Sequence, residues 1–504
     1  MDASRPILTQ GPSESWLYYW GSGLLYAAFG FAMVLLVFIT WKLDWILPFI
    51  PVVLLGGVGI WWLFQRPLLN LAVVLCSFVL IADFEEGIQI TEVFYGLYYM
   101  SFLGYWFFKR LFLDDKPVFE RPEEKALWIF LILVTLSIPL TLLFGGTFKL
   151  WLGEWLSLSL LGFYFPVKEA VIKHDQGLKV VIGVVLFVGL VVLGRNVLEY
   201  KQAITDAVQA WEIAKGRAVT NEGLLMVPAF FSLAMYLFSA EWKQKTIFLG
   251  LFIAFFGGLI LTQSRGYWVA FFLGALVLFW LIPRQQKGRL LATGVVTGVV
   301  VFAIATIVLG DVLMLVLGGL LDRLVSIGSA TTKDISLVNR FLETGAVWEH
   351  IKTNPILGHG MGVSYRFFDI TYEFSDSKPF IHNGYIALWY KFGVWGPALI
   401  LTFLGICIRR AFVVVRQNQG DRLMATASLA VIACLAAFSL SANTSNPFYI
   451  NDPMFIFSVM TGMVGGCYSI HTRKLTLAGI SGPASIDGES TMRASSTSTS
   501  GNET

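Results

Sequence analysis

Long apolar runs alternate with short polar breaks along nearly the whole chain, and the runs are too long for buried strands. About fourteen runs read as membrane helices, at roughly 20–40, 45–64, 68–82, 92–112, 126–144, 150–166, 178–194, 222–240, 246–263, 267–283, 290–317, 383–408, 422–442 and 452–470. Crossing a bilayer untilted takes about 20 apolar residues; the run at 68–82 falls short of that. The pattern predicts an all-α polytopic transmembrane bundle of about 12–14 spans over 1–474, with two large polar connections at 195–221 and 318–382. The alternation stops near 475. Residues 475–504 are rich in Ser, Thr and Gly and end in Ser495-Ser496-Thr497-Ser498-Thr499-Ser500, so this tail is expected to be disordered.

Composition agrees. The 504 residues are 56% hydrophobic and only 14% charged, with a mean hydropathy of +0.70, where a soluble protein carries about a quarter charged residues. The net charge of +3, with no basic cluster interleaved with aromatics, excludes nucleic acid as a partner. Cys76, Cys407, Cys434 and Cys467 fall in or beside apolar runs and show no metal-ligand spacing. Residues 1–15 hold one basic residue, Arg5, and the first apolar run is too long for a signal peptide, so it is expected to remain as an uncleaved span.

Charge orients the bundle. Most of the 36 Lys and Arg residues lie on one set of connections, alternating loop by loop as the positive-inside rule requires. Both termini are therefore expected in the cytoplasm. The other side then carries Thr262-Gln263-Ser264-Arg265-Gly266, the connection 318–382, and His382-Asn383 at the head of the next run.

Within 318–382, Leu337, Phe341, Trp348 and Ile351 recur at helical spacing. Asn354-Pro355 ends that helix, because the residue before proline avoids the helical region. Gly358, Gly360 and Gly362 follow and permit backbone turns that other residues resist. In 195–221, Val197, Ile204, Val208, Trp211 and Ile213 suggest a helix lying at the interface.

The polar residues at this end suit phosphate and proton chemistry. Arg265, flanked by Ser264 and Gly266, stands where a helix begins; guanidinium groups and helix N-termini both favour a pyrophosphate. An interfacial anchor is the plainer reading of such an arginine. Arg340, Arg366 and Arg195 are further outer arginines, candidates for phosphate or simply solvated charges. His382 also precedes a helix, whose positive end keeps an imidazole neutral as a general base requires; a hydrogen-bonded interfacial histidine is the alternative. Asn383 caps the helix, orients the imidazole or binds a sugar hydroxyl. His359, in the glycine-rich turn, reads as structural, and Gly393 and Gly396 as helix-packing residues. Lys391, inside an apolar run, is a functional candidate by default. Asp83, Glu85 and Glu86 make a weak metal candidate with no second ligand group in evidence.

Together, Ser264-Arg265-Gly266, Arg340, Trp348, Asn354-Pro355-Ile356-Leu357-Gly358-His359-Gly360 and His382-Asn383 with Gly393 and Gly396 resemble the O-antigen ligase and O-antigen polymerase family. The resemblance covers about 260–400. It implies a GT-C-like helical glycosyltransferase that needs no metal or other cofactor. It implies undecaprenyl-pyrophosphate-linked glycan as substrate, membrane lipid as surroundings and a chain-length regulator protein as a further partner. The site would face outward from the bacterial inner membrane. Under this resemblance His382 is the base on the acceptor hydroxyl, and Arg265 and Arg340 bind the pyrophosphate. Arg366 and Arg195 would assist, with Asn383, Ser264, Gly266, Asn354, Gly358, Gly360, Gly393 and Lys391 in support. One branch polymerises repeat units, the reading slightly preferred here; the other ligates finished polymer to lipid A core. The rivals from other classes are a lipid-linked sugar flippase or transporter, which holds substrate near the midplane, and a non-catalytic scaffold.

Overall fold

A computed structural model describes residues 50–81, 90–114, 119–206, 221–310, 335–370, 373–417 and 421–477, with 314, 318 and 321. The expected first span, the acidic cluster at Asp83, Glu85 and Glu86, and the tail beyond 477 lie outside the described residues. Among the described residues, eight helices are long and apolar enough to cross a membrane. Shorter apolar helices add Pro67–Val79, Glu222–Phe238 and Arg265–Leu281. The architecture is the all-α polytopic bundle that the apolar periodicity predicts.

Asn451–Leu477 and Arg422–Ser441 form the centre, and Glu222–Phe238 is buried along nearly its whole length. Small residues set the approach of the central helix to its neighbour: a Cβ at Gly465 would lie 2.7 Å from the Tyr164 hydroxyl, and one at Gly462 2.8 Å from the Tyr164 carbonyl. Buried charge is paired. Glu123 meets Arg410 and the Tyr164 hydroxyl, and Glu124 meets Lys168.

Three expectations need correction. The connection expected at 195–221 begins later, because one helix runs unbroken over Gly177–Asp206. No proline interrupts it, and its charges are accommodated locally, with Arg195 and Glu199 paired at 3.3 Å one turn apart. The run 383–408 is two helices, Gly384–Phe392 and Trp395–Gln417, parted at Gly393 with φ +62°. Lys391 thus closes a short helix instead of lying inside a span. Last, the connection 318–382 holds more than a helix and a glycine turn. Tyr365–Asp369 and Phe374–Lys378 pair as an antiparallel hairpin, with Tyr365 opposite Lys378.

The glycine-rich turn and the helix break lock together. His359 N donates to the Tyr390 carbonyl at 2.8 Å, Gly360 N to the Lys391 carbonyl at 2.9 Å, and Val394 N to the Pro355 carbonyl at 2.9 Å. The fit leaves no room for side chains: a Cβ at Gly393 would sit 2.0 Å from the Ile356 carbonyl oxygen, and one at Gly358 2.4 Å from Gly393 N. Gly393→Ala therefore combines a disfavoured φ with a backbone clash and should cost about 2–4 kcal/mol. Gly405→Ala, in a helix where a Cβ meets nothing within 4 Å, should be neutral or stabilising by about 1 kcal/mol. Thermal unfolding of the two detergent-purified variants checks the contrast.

Candidate functional site

The site grows from the helix Ile335–Thr353. Arg340 and Glu343, three residues apart, lie on neighbouring turns of one face. The Glu343 side chain is 1% exposed and is ringed by donors. The Tyr365 hydroxyl and Lys378 Nζ reach Oε1, the latter at 3.1 Å, while His382 N and Nδ1 reach Oε2 at 3.1 and 2.8 Å. Burial alone would push this carboxyl up. The bonds from His382 and Tyr365 and the charge of Lys378 outweigh it and hold Glu343 at about 2, below its ordinary 4.5.

An ionised carboxylate only accepts, so its bond to His382 requires a proton on Nδ1. The lone pair of the imidazole then falls on Nε2. A third of the His382 side chain is exposed, with the Phe380 ring set edge-on at 5.3 Å. Asn383 is the helix cap, its Oδ1 accepting from Ile386 N at 3.1 Å. The buried carboxylate that accepts from Nδ1 holds the His382 ring in its orientation.

A polar loop between two central helices binds the pieces together. Gly384 N donates to the Ala442 carbonyl at 2.8 Å, and Asn446 Nδ2 to the Ile381 carbonyl at 2.7 Å. Arg340 Nη1 donates to the Thr444 carbonyl. Thr444 Oγ1 in turn lies 3.3 Å from a Cβ built on Gly266. Residues 442–446 thus touch the segments that carry His382, Arg340 and Arg265. Arg265 opens the helix Arg265–Leu281 behind a tight reversal at Gln263, φ +51°, with Thr262 Oγ1 accepting from Ser264 N at 3.3 Å.

The other candidates fall elsewhere or do other work. Arg366 occupies an exposed position of its strand, whose pattern buries Tyr365 and Phe367 instead; it points away from the face that meets Glu343. Arg195 engages Glu199 and, at 3.5 Å, Asn221. Asn354 Nδ2 donates to the Gly358 carbonyl at 2.6 Å, so it shapes the turn. His359 stacks on Tyr390 at 4.7 Å and burial lowers its pKa, as suits a neutral packing histidine. Lys391 donates to Glu154 at 2.9 Å and to the Pro379 and Val363 carbonyls at 3.0 and 3.4 Å, a structural tie. Among the described residues, no group of three His, Cys, Asp or Glu side chains could hold a metal ion.

Sequence reasoning missed Glu343, Lys378 and the 442–446 loop. The available signals were a glutamate three residues after Arg340, and the run Asn443-Thr444-Ser445-Asn446 between two apolar spans.

Fold and site together define a multi-pass membrane protein with a buried carboxylate–histidine pair beside arginines at one end of its bundle. Residues 250–401 match the family model described as O-Antigen ligase. That segment holds Arg265, Arg340, Glu343, Lys378 and His382. Over residues 250–401 the chain is similar to that family, and the eight long apolar helices among the described residues fit a multi-pass membrane protein. No curated protein matches the chain.

Glu343 makes the site pH-sensitive in its stability. Its folded pKa is depressed, so its contribution is present above about 4.5 and is lost as pH falls towards 2. The depression corresponds to roughly 3 kcal/mol. Glu343→Gln should therefore unfold more easily than wild type at pH 7, and the gap should close by about pH 2. Chemical unfolding across that range measures it; a constant gap would assign the loss to packing.

Proposed function

We propose that the protein transfers glycan from undecaprenyl pyrophosphate to an acceptor sugar hydroxyl at the outer face of the inner membrane, and that it polymerises repeat units of O-antigen or exopolysaccharide. The observation that carries this reading is the pairing of His382 Nδ1 with buried Glu343, one helical turn from Arg340.

The chemistry follows from the residues. His382 Nε2 takes the proton of the acceptor hydroxyl as its oxygen attacks the anomeric carbon. The bond from that carbon to the pyrophosphate oxygen breaks, and the electron pair leaves with the pyrophosphate. Arg340 and Arg265 stabilise the charge that develops there. Glu343 fixes the tautomer and stabilises the imidazolium as it forms, as the acidic member does in other acid–histidine pairs. Lys378, bound to the opposite oxygen of Glu343, steadies that carboxylate. The reaction as written uses no metal.

Ligation of finished polymer to lipid A core is the second reading, favoured by the description of the matching family model. The transporter reading loses its main support, because the Lys391 ammonium is engaged by Glu154 and two carbonyls.

Cells lacking the native gene and complemented with variants test the proposal, with envelope glycans resolved on gels at matched membrane expression. Removing a general base costs about 10²- to 10⁴-fold, so His382→Ala should leave only single-repeat bands. Arg265→Ala and Arg340→Ala should do the same with protein levels unchanged, and Glu343→Gln should do so when compared at matched expression. Full-length polymer accumulating on its carrier would identify a ligase. A His382→Ala strain indistinguishable from wild type would sink the catalytic assignment.

A further inference from the structure

We propose that the end of the bundle remote from His382 binds an anionic phospholipid, in a cavity whose rim carries Lys179 and Arg422. The cavity measures about 500 Å³ and lies among the helices Gly177–Asp206, Glu222–Phe238, Trp242–Leu261 and Arg422–Ser441. Ile182, Leu186, Phe238 and Phe248 make its walls apolar. Lys179 and Arg422 are both exposed and both stand in the first turn of their helices. Asp421 caps the second of these helices, accepting from Met424 N at 3.2 Å, and its charge is met by Lys474 at 3.6 Å; the remaining first-turn N–H groups and the dipole ends add to the two side-chain charges.

Its position matches a lipid headgroup. The helix that starts at Arg422 ends beside Ala442 and Thr444, the loop that binds Gly384 and Arg340. At about 1.5 Å per residue, the 20 residues of this helix place Arg422 roughly 30 Å from the candidate site, one hydrocarbon thickness. Trp242, 79% exposed, begins the third helix at that level; tryptophan concentrates at the membrane–water boundary. Cations above an apolar cleft at the bilayer surface fit a headgroup of net negative charge above its acyl chains. Under the proposed orientation this is the cytoplasmic leaflet. The inference does not depend on the reaction at His382.

Native mass spectrometry of the full chain, titrated with phosphatidylglycerol or phosphatidylcholine, tests it. Wild type should retain one phosphatidylglycerol at concentrations at least about tenfold below those needed for phosphatidylcholine. The double variant Lys179→Gln with Arg422→Gln should lose that preference. Leu186→Trp, which fills the cleft and keeps the charges, should lose the bound lipid as well. Arg284→Gln with Arg289→Gln removes two basic groups from another helix and should leave the preference intact. Equal retention of both lipids by wild type would overturn the proposal. So would an equal loss of preference in the Arg284 and Arg289 control, which would assign the effect to surface charge at large.

Discussion

The end of the molecule that carries the candidate site depends on one largely buried ion pair, Lys391 with Glu154, at 2.9 Å. Glu154 belongs to the bundle, on the helix Phe148–Ser159, and Lys391 ends the short helix behind His382. The lysine also holds the carbonyls of Pro379 and Val363, while the second oxygen of Glu154 accepts from Gly362 N at 2.8 Å. One carboxylate thereby anchors the glycine-rich turn, the end of the hairpin and the helix that follows His382. Leaving either charge buried without the other would cost several kcal/mol. The segment from the glycine-rich turn to Lys391 has few alternatives to this docking, and the residues before His382 inherit its rigidity.

That rigidity gives the candidate site its character. Glu343 would be an expensive residue to bury alone, yet four donors from three segments converge on it. Each donor comes from a piece already fixed: Tyr365 and Lys378 from the hairpin, His382 from the segment tied by Lys391. The carboxylate is therefore preorganised before any substrate arrives, and so is the tautomer of His382. A proton taken by Nε2 would produce an imidazolium already in contact with its counter-charge.

The apolar runs made the bundle legible in the sequence, because satisfying every backbone group in lipid forces long helices. His382, Arg265 and Arg340 were legible as polar groups at the edges of those runs, and the contacts of residues 442–446 place their segments together. Three things were hidden. Gly393 looked like a packing glycine in a continuous span; its φ of +62° and the Ile356 carbonyl, 37 residues earlier in the chain, which leaves no room for a Cβ, emerge only in the fold. Glu343 looked like an ordinary helix glutamate, since nothing local reveals that a hairpin folds over it. Arg366 read as a candidate phosphate ligand or a solvated charge, and the alternation of its strand places it at an exposed position. In each case the deciding contact is distant in sequence.

The motifs themselves divide along this line. The turn Asn354–Gly362 and the helix break at Gly393 occupy each other's space: Gly393 leaves room for the Ile356 carbonyl, and Gly358 for the Lys391 carbonyl. Neither half would hold its shape without its counterpart, which gives a physical reason for the two signatures to occur in one chain. His382, Arg340 and Arg265 make no part of that lock. They are the charges and the proposed base, carried on segments that converge on residues 442–446. A glycine replaced in the lock should damage folding first and chemistry only as a consequence, whereas Glu343 joins the two, because it is both buried structure and the partner of the proposed base.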